Sequence, residues 1–356
     1  MRAAVASGKS IQVRADLPEP KPGAGQVLVR TIACGICGSD LHALEFPREM
    51  SRLMRATGAT CELGPDVEYV MGHEFVAEIL EHGPETEGTL PVGSLVCSMP
   101  VAMGSAGIQP IGYCPMSPGG YGERMVLQEA MLVPVPEGMN PRLAALTEPL
   151  AVGEHTVALA DIQPGWPCQV VGCGPIGLAI ILALKARGVH PIIASDFSPT
   201  RRVLAQQLGA DVVLDPGDGP GLGDFVEMGV PASAMERGAT AGLGTEPRRA
   251  VIFEAVGVPG IIATISEAVP AASRIVVAGV CMQSDRIEPA VAVAKELELR
   301  FAFAYTPLEF AATLSRIASS PETVAPLITG TVGVEGVAGA FAALRAGEQV
   351  KVLIEH

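Results

Sequence analysis

Basic residues never cluster in this chain; the longest runs are the pairs Arg201-Arg202 and Arg248-Arg249, within a formal net charge of −14. Nucleic acids and anionic membrane surfaces both need basic patches. The expected partners therefore include neither nucleic acid nor membrane. Charged residues are scarce at 17%, while hydrophobic residues reach 49%, a balance that excludes disorder. Long apolar runs are missing too. The longest helix-like one, Ile176 to Leu184, is far short of the ~20 residues a membrane span needs. Met1 to Lys9 lacks the apolar core of a signal peptide, so the expected location is the cytoplasm. Aromatics, at 4%, say little about any particular pocket. No internal repeat recurs at a fixed period. The eight cysteines are scattered, and in a cytoplasmic chain they read as reduced thiols or metal ligands rather than a disulfide framework.

Turn-formers are what the chain has in quantity: 41 Gly and 30 Pro in 356 residues. That length suits two domains, and that many turns suits short strands and tight loops. Up to about residue 150 the texture is mostly β. Gln26 to Ile32 alternates apolar and polar residues, as a half-buried strand should. Phe75 to Leu80 and Ser94 to Cys97 read similarly. From about 151 strands and helices alternate. Strands are expected at Cys168 to Val171, Pro191 to Ser195, Asp211 to Leu214, Ala250 to Glu254 and Arg274 to Ala278. Helices are expected over Pro175 to Arg187 and Pro199 to Leu208, each opened by Pro and followed by Gly. Such alternation implies a parallel sheet with crossover helices. Asp215 to Pro247 has no clear assignment. An amphipathic helix is expected near Pro307 to Ser319. Leu299 to Ala304 reads as a strand, either internal or at a sheet edge where subunits could meet.

Gly172-Cys173-Gly174-Pro175-Ile176-Gly177 fits G-x-G-x-x-G. The pattern alone is weak, but here it follows a strand and opens a helix. Gly172 allows the turn, Gly174 admits a pyrophosphate, and Gly177 lets helix and strand pack closely. The helix N-terminus offers free N–H groups to phosphate. Asp196, at the end of the next strand, suits the ribose hydroxyls of NAD and repels the extra phosphate of NADP. Arg201 could cover the adenine or meet a 2′-phosphate. The bland alternative is a structural turn and a surface aspartate.

Cys34-Gly35-Ile36-Cys37-Gly38-Ser39-Asp40-Leu41-His42, Gly72-His73-Glu74 and Glu148-Pro149-Leu150 supply thiolate, imidazole and carboxylate. All three are good zinc ligands, and three protein ligands with an open position define a catalytic zinc. Singly, such residues are more often packing or surface. Cys34 and Cys37 also form C-x-x-C, but without the thioredoxin-like context a redox pair requires. Cys168, Cys173 and Cys281 read as buried packing. His82, His155, His190 and His356 have no partner that the sequence names.

Together with Val170 to Gly177, Ser195-Asp196 and Phe253-Glu254-Ala255-Val256-Gly257, these segments resemble the medium-chain zinc-dependent alcohol dehydrogenase family. The Glu-Pro-Leu motif resembles its sorbitol and threonine dehydrogenase branch. The resemblance implies an α/β fold: a GroES-like β domain plus a doubly wound parallel-sheet Rossmann domain. The catalytic domain would span 1–150, the NAD-binding domain 151–298, and 299–356 would return to complete the first. The implied activity is hydride transfer between a secondary alcohol or polyol, or the corresponding ketone, and NAD. The implied zinc ligands are Cys37, His73 and either Glu74 or Glu148, with Glu74 also counted among the catalytic groups. Ser39 and His42 match the family's proton relay, in which the hydroxyl proton passes through the nicotinamide ribose to solvent. Gly172, Gly174, Pro175, Ile176, Gly177, Asp196, Arg201, Val256, Gly279 and Val280 would contact the cofactor. A homodimer or homotetramer is implied.

Two features depart from the family. Only Cys97 and Cys114 occur where a structural zinc needs four cysteines, so one catalytic zinc and no structural zinc is expected. The Cys37 to His73 spacing is also long. The extra segment, about Leu44 to Tyr69, is expected to form a helix and loop by the substrate cleft that either reshapes the pocket, the preferred reading, or merely covers the surface. Two rival readings remain: a metal-independent quinone or enoyl reductase of the same superfamily, and a catalytically silent NAD-binding protein.

Overall fold

A computed structural model describes residues 1–64, 66–104, 107–219 and 221–356. The chain divides into two compact units, Met1–Glu148 with Phe310–His356, and Pro149–Glu309.

The first unit is built on a seven-stranded sheet whose central strand is Gln26–Gly35. Its alternating sequence buries one face, and it pairs antiparallel with Glu74–His82, Arg124–Gln128 and Val352–Glu355. Registers fix what meets at its C-terminal end. Gly35 lies opposite Glu74 and also opposite Leu353. Residues just past one strand and just before the other two are thereby gathered at one end of the sheet: Cys37, His73 and Lys351. The inserted segment holds a helix, Pro47–Ala56, with Met50 and Met54 buried, and a strand, Glu68–Val70, paired with Ala3–Ser7.

The insertion corrects the cysteine reading. Cys61 forms a disulfide with Cys114, with Cα atoms 5.4 Å apart. Spacing could not show this pairing, because the two residues are 53 apart in sequence. Both are buried, which limits access by exchanging thiols. Cys97 is separately accounted for, donating to the Ala144 carbonyl.

The second unit is a six-stranded parallel sheet. In chain order its strands are Cys168–Val171, Ile192–Ser195, Val212–Leu214, Val251–Glu254, Arg274–Val277 and Glu298–Phe301. They lie side by side in the order 3-2-1-4-5-6 of a doubly wound sheet. The central strands are buried along their whole length, as parallel strands covered by crossover helices should be. Buried polar residues sit among them: Gln169, Glu254 and Arg274. Gln169 donates to the Ser195 hydroxyl and the Gly221 carbonyl and accepts from the Gly223 amide, so its burial leaves neither end unpaired. Those bonds pin the glycine-rich stretch after Leu214, which sends Phe225 and Val230 into the core and contains the helix Ala234–Gly242.

The last strand belongs to this sheet, so the unit runs to Glu309, past the expected boundary at 298. It lies at the edge, with Phe301 and Phe303 exposed. The helix Pro307–Ser319 forms as its periodicity predicts. Cys281 is part-exposed rather than buried. Three histidines without an expected partner have one: His155 with Glu309, His190 with Asp211, and His356 with the Gly120 carbonyl. Among the described residues no helix is long and apolar enough to cross a membrane.

Candidate metal centre and nucleotide site

Ligand atoms of Cys37, His73 and Glu74 all lie within 4.8 Å of one another. Cys37 caps the helix Gly38–Glu45, so a thiolate there meets the positive end of the helix dipole. His73 follows Gly72, whose φ of +103° turns the chain tightly enough to point the imidazole back at Cys37. A Cβ on Gly72 would also press on Cys34 and Tyr121. Glu74 is completely buried, and its carboxylate occupies the space that a side chain at Gly35 would take. Glu148 is not part of this cluster. It stands in the first turn of the helix Thr147–Ala160, and its charge reaches Lys351.

Sequence reasoning missed the groups that hold these ligands in place. Lys351, 2% exposed, donates to both Glu74 oxygens at 2.7 and 2.6 Å and to the Ile36 carbonyl at 3.0 Å. Burial works against its charge, but Glu74, with Cys37 and Glu148 adding to it, outweighs burial and the ammonium is held above its ordinary pKa. Asp40, fully buried, accepts from the Cys37 amide at 2.9 Å, Tyr121 at 2.7 Å and Tyr113 at 3.0 Å. Burial would raise its pKa, yet His73 and these donors lower it, so the carboxylate is ionised. The His73 Nδ1 lies 3.5 Å from Asp40. Burial would push its pKa down, but flanking Asp40 and Cys37 raise it well above the usual range. The imidazole thus lies between a buried carboxylate and a sulfur ligand atom. With a divalent cation on its other nitrogen, this becomes a carboxylate–histidine–metal arrangement. Soft thiolate, imidazole and hard carboxylate together fit zinc.

Ser39 and His42 lie on the same short helix. Ser39 Oγ is 2.8 Å from the Tyr113 hydroxyl. His42 is half-buried, and its Nδ1 is buried without a partner. Burial lowers its pKa, with a smaller opposing contribution from Glu45, so the ring is neutral and able to take a proton.

In the second unit the glycine turn is formed as its spacing predicts. Gly172 has φ +92°, and a Cβ on Gly177 would overlap the Gly172 carbonyl. The space above Gly174 is open. Pro175 opens the helix Pro175–Ala186, whose first turn has no side-chain cap. Its free N–H groups, including that of Ile176, are the kind that bind phosphate. Asp196 accepts from the Cys173 and Ser198 amides, both at 2.8 Å, leaving lone pairs for ribose hydroxyls. Arg201 lies 3.8 Å from it. Glu254, also unforeseen, accepts from the Val256 and Gly257 amides at 2.7 Å, and Gly279 packs on the same carboxylate. This ties the loops that present Val256 and Val280, both exposed.

The comparisons with known proteins agree with this geometry. Residues 23–137 match the alcohol dehydrogenase GroES-like domain, and 175–319 match the zinc-binding dehydrogenase domain. The chain is 30% identical to (R,R)-butanediol dehydrogenase of Bacillus subtilis over 348 residues, covering 95% of this chain and 94% of that protein. It is 32% identical to L-threonine 3-dehydrogenase of Pyrococcus abyssi over 245 residues, 62% of this chain and 67% of that one. The crystal structure of 2R,3R-butanediol dehydrogenase from Bacillus subtilis superposes with a TM-score of 0.78 at 27% identity, covering 100% of this chain and 99% of that one. The chain is therefore an oxidoreductase belonging to the zinc-dependent medium-chain alcohol dehydrogenase family.

Proposed function

We propose that this protein transfers a hydride between a secondary alcohol or polyol, or the corresponding ketone, and NAD, using a single catalytic zinc. The cluster of Cys37, His73 and Glu74, with Asp40 behind the imidazole, carries this reading. Cys37 and His73 would hold the metal, completed by Glu74 or Glu148. Glu74 is shared with Lys351, so direct ligation by it competes with that ion pair. Held by these residues, zinc would supply Lewis-acid activation of the alcohol, and NAD at the glycine turn would supply the hydride acceptor. Ser39 takes the hydroxyl proton, and the neutral His42 stands ready at the solvent end of the relay.

Asp196 supports NAD over NADP. The substrates named in the two relatives, butanediol and threonine, each carry a secondary hydroxyl beside a second polar group. That chemistry supports a vicinally substituted secondary alcohol here. The exposed edge strand Glu298–Phe301 supports a homodimer or homotetramer. A cytoplasmic location is compatible with the disulfide because both its cysteines are buried.

The test is metal analysis combined with a panel of primary, secondary, cyclic and polyol substrates, read as NADH and NADPH formation. One zinc per chain, loss of turnover under a chelator and preference for secondary alcohols with NAD are expected. Full activity without bound zinc would overturn the reading in favour of a metal-independent reductase.

A further inference from the structure

Tyr113 is 8% exposed, and its hydroxyl touches two groups at once. It is 2.8 Å from Ser39 Oγ and 3.0 Å from Asp40 Oδ1. Its ring lies against His73, with centroids 5.2 Å apart. A phenol has one proton, so it cannot donate to both oxygens together. If the proton points to Asp40, the Ser39 hydroxyl has the phenol oxygen as its acceptor, and its own proton is tied up there. If the proton points to Ser39, that serine keeps its own proton free to give away, and Asp40 Oδ1 is released to His73 Nδ1. The other Asp40 oxygen is already held by Tyr121 and the Cys37 amide.

The phenol is not a loose side chain that drifts into this place. The Ile111 amide donates to Pro100, that of Gly112 to Ser117, and that of Tyr113 to Pro110. The next residue, Cys114, is covalently joined to Cys61 in the insertion.

We propose that Tyr113 is a positioning residue that couples the orientation of the Ser39 hydroxyl to the Asp40–His73 pair. The inference rests on the reading of Ser39 as the acceptor of the substrate's hydroxyl proton. Ser39 Oγ accepts that proton as it gives up its own, and Tyr113 donating to Ser39 orients it for both events. Tyr113 itself neither gains nor loses a proton over the cycle.

The test is Tyr113→Phe, which keeps the ring and removes only the hydroxyl. The expected kcat for alcohol oxidation falls about 10- to 100-fold, the range typical of groups supporting a metal site. KM for NAD stays within about threefold, because no cofactor contact changes. The solvent isotope effect on kcat rises as the proton step becomes limiting. The decisive readout is zinc affinity by chelator competition. Asp40 Oδ1 loses the phenol and is left facing His73 Nδ1, 3.5 Å away, free to accept from it, so the imidazole becomes a better ligand and zinc is held at least as tightly as in the wild type. A purely structural tyrosine would instead loosen zinc and lower Tm together, and that result would overturn the proposal. So would a kcat within threefold of the wild type. Ser39→Ala and the double variant complete a cycle, and the two losses should be clearly non-additive. If Ser39→Ala turns over normally, the relay reading fails, whatever Tyr113→Phe does.

Discussion

The nucleotide turn and the metal centre are built in opposite ways. At the turn the backbone does the binding. Gly172, Gly174 and Gly177 are chosen for what they lack, and the groups offered to a phosphate are main-chain N–H groups of the helix Pro175–Ala186. At the candidate metal centre side chains would do the binding, and further side chains and main chain hold the cluster: Lys351 holds Glu74, and Tyr113, Tyr121 and the Cys37 amide hold Asp40. At Gly172 and Gly177 the first site has no room for added atoms. The second tolerates no uncompensated charge.

That difference can be tested by substitutions. The largest loss is expected for Cys37→Ala, which removes a metal ligand worth several kcal/mol in the transition state, so kcat should fall on the order of a thousandfold. NAD binding, followed by fluorescence, should be unaffected; a near-normal rate would refute the ligand assignment. Next is Lys351→Met, which strands the buried Glu74 carboxylate. Unfolding by denaturant should show a loss of about 3–5 kcal/mol. Adding Glu74→Gln should restore most of it, whereas no recovery would mean that packing, not charge, governs the site.

Asp196→Ala should act only on the other unit. It should cut kcat/KM for NAD about 10- to 100-fold, the worth of lost hydrogen bonds to a charged group, and narrow the preference over NADP. Zinc content should not move. The smallest effect concerns pH. His42 titrates below its ordinary value in the folded protein, chiefly because of burial. The unfolded chain therefore takes up this proton first as pH falls. The contribution to stability is complete above about pH 6.5 and is lost between there and the lower folded value. A modest drop in Tm over that window, diminished in His42→Asn, is expected; a Tm that rises on acidification would contradict the assignment.

How much could be read in advance follows from the same contrast. Glycine spacing records backbone geometry locally, so the turn, its strand, its helix and Asp196 are legible within about thirty residues. Cys37 and His73 are legible because short motifs carry them. Lys351 is not: it meets Ile36 across 315 residues of sequence, and only the pairing of three strands brings them together. Tyr113 and Tyr121 are equally silent, since an isolated tyrosine in a glycine-rich stretch has no periodicity to interpret. Asp40 left a faint signal, lying three residues after Cys37 at a capping position. Cysteine count and compartment argued for free thiols, and distance in sequence hid the one pair that forms.

That pair closes a covalent ring running from Cys61 to Cys114, and His73 and Glu74 lie inside it while Cys37 lies outside. In the chain-entropy view a ring of this size removes about 4 kcal/mol of disorder from the unfolded chain. His73, Glu74 and the Tyr113 segment all lie within the ring, so the cross-link keeps them closer to one another in the unfolded chain than an open chain would.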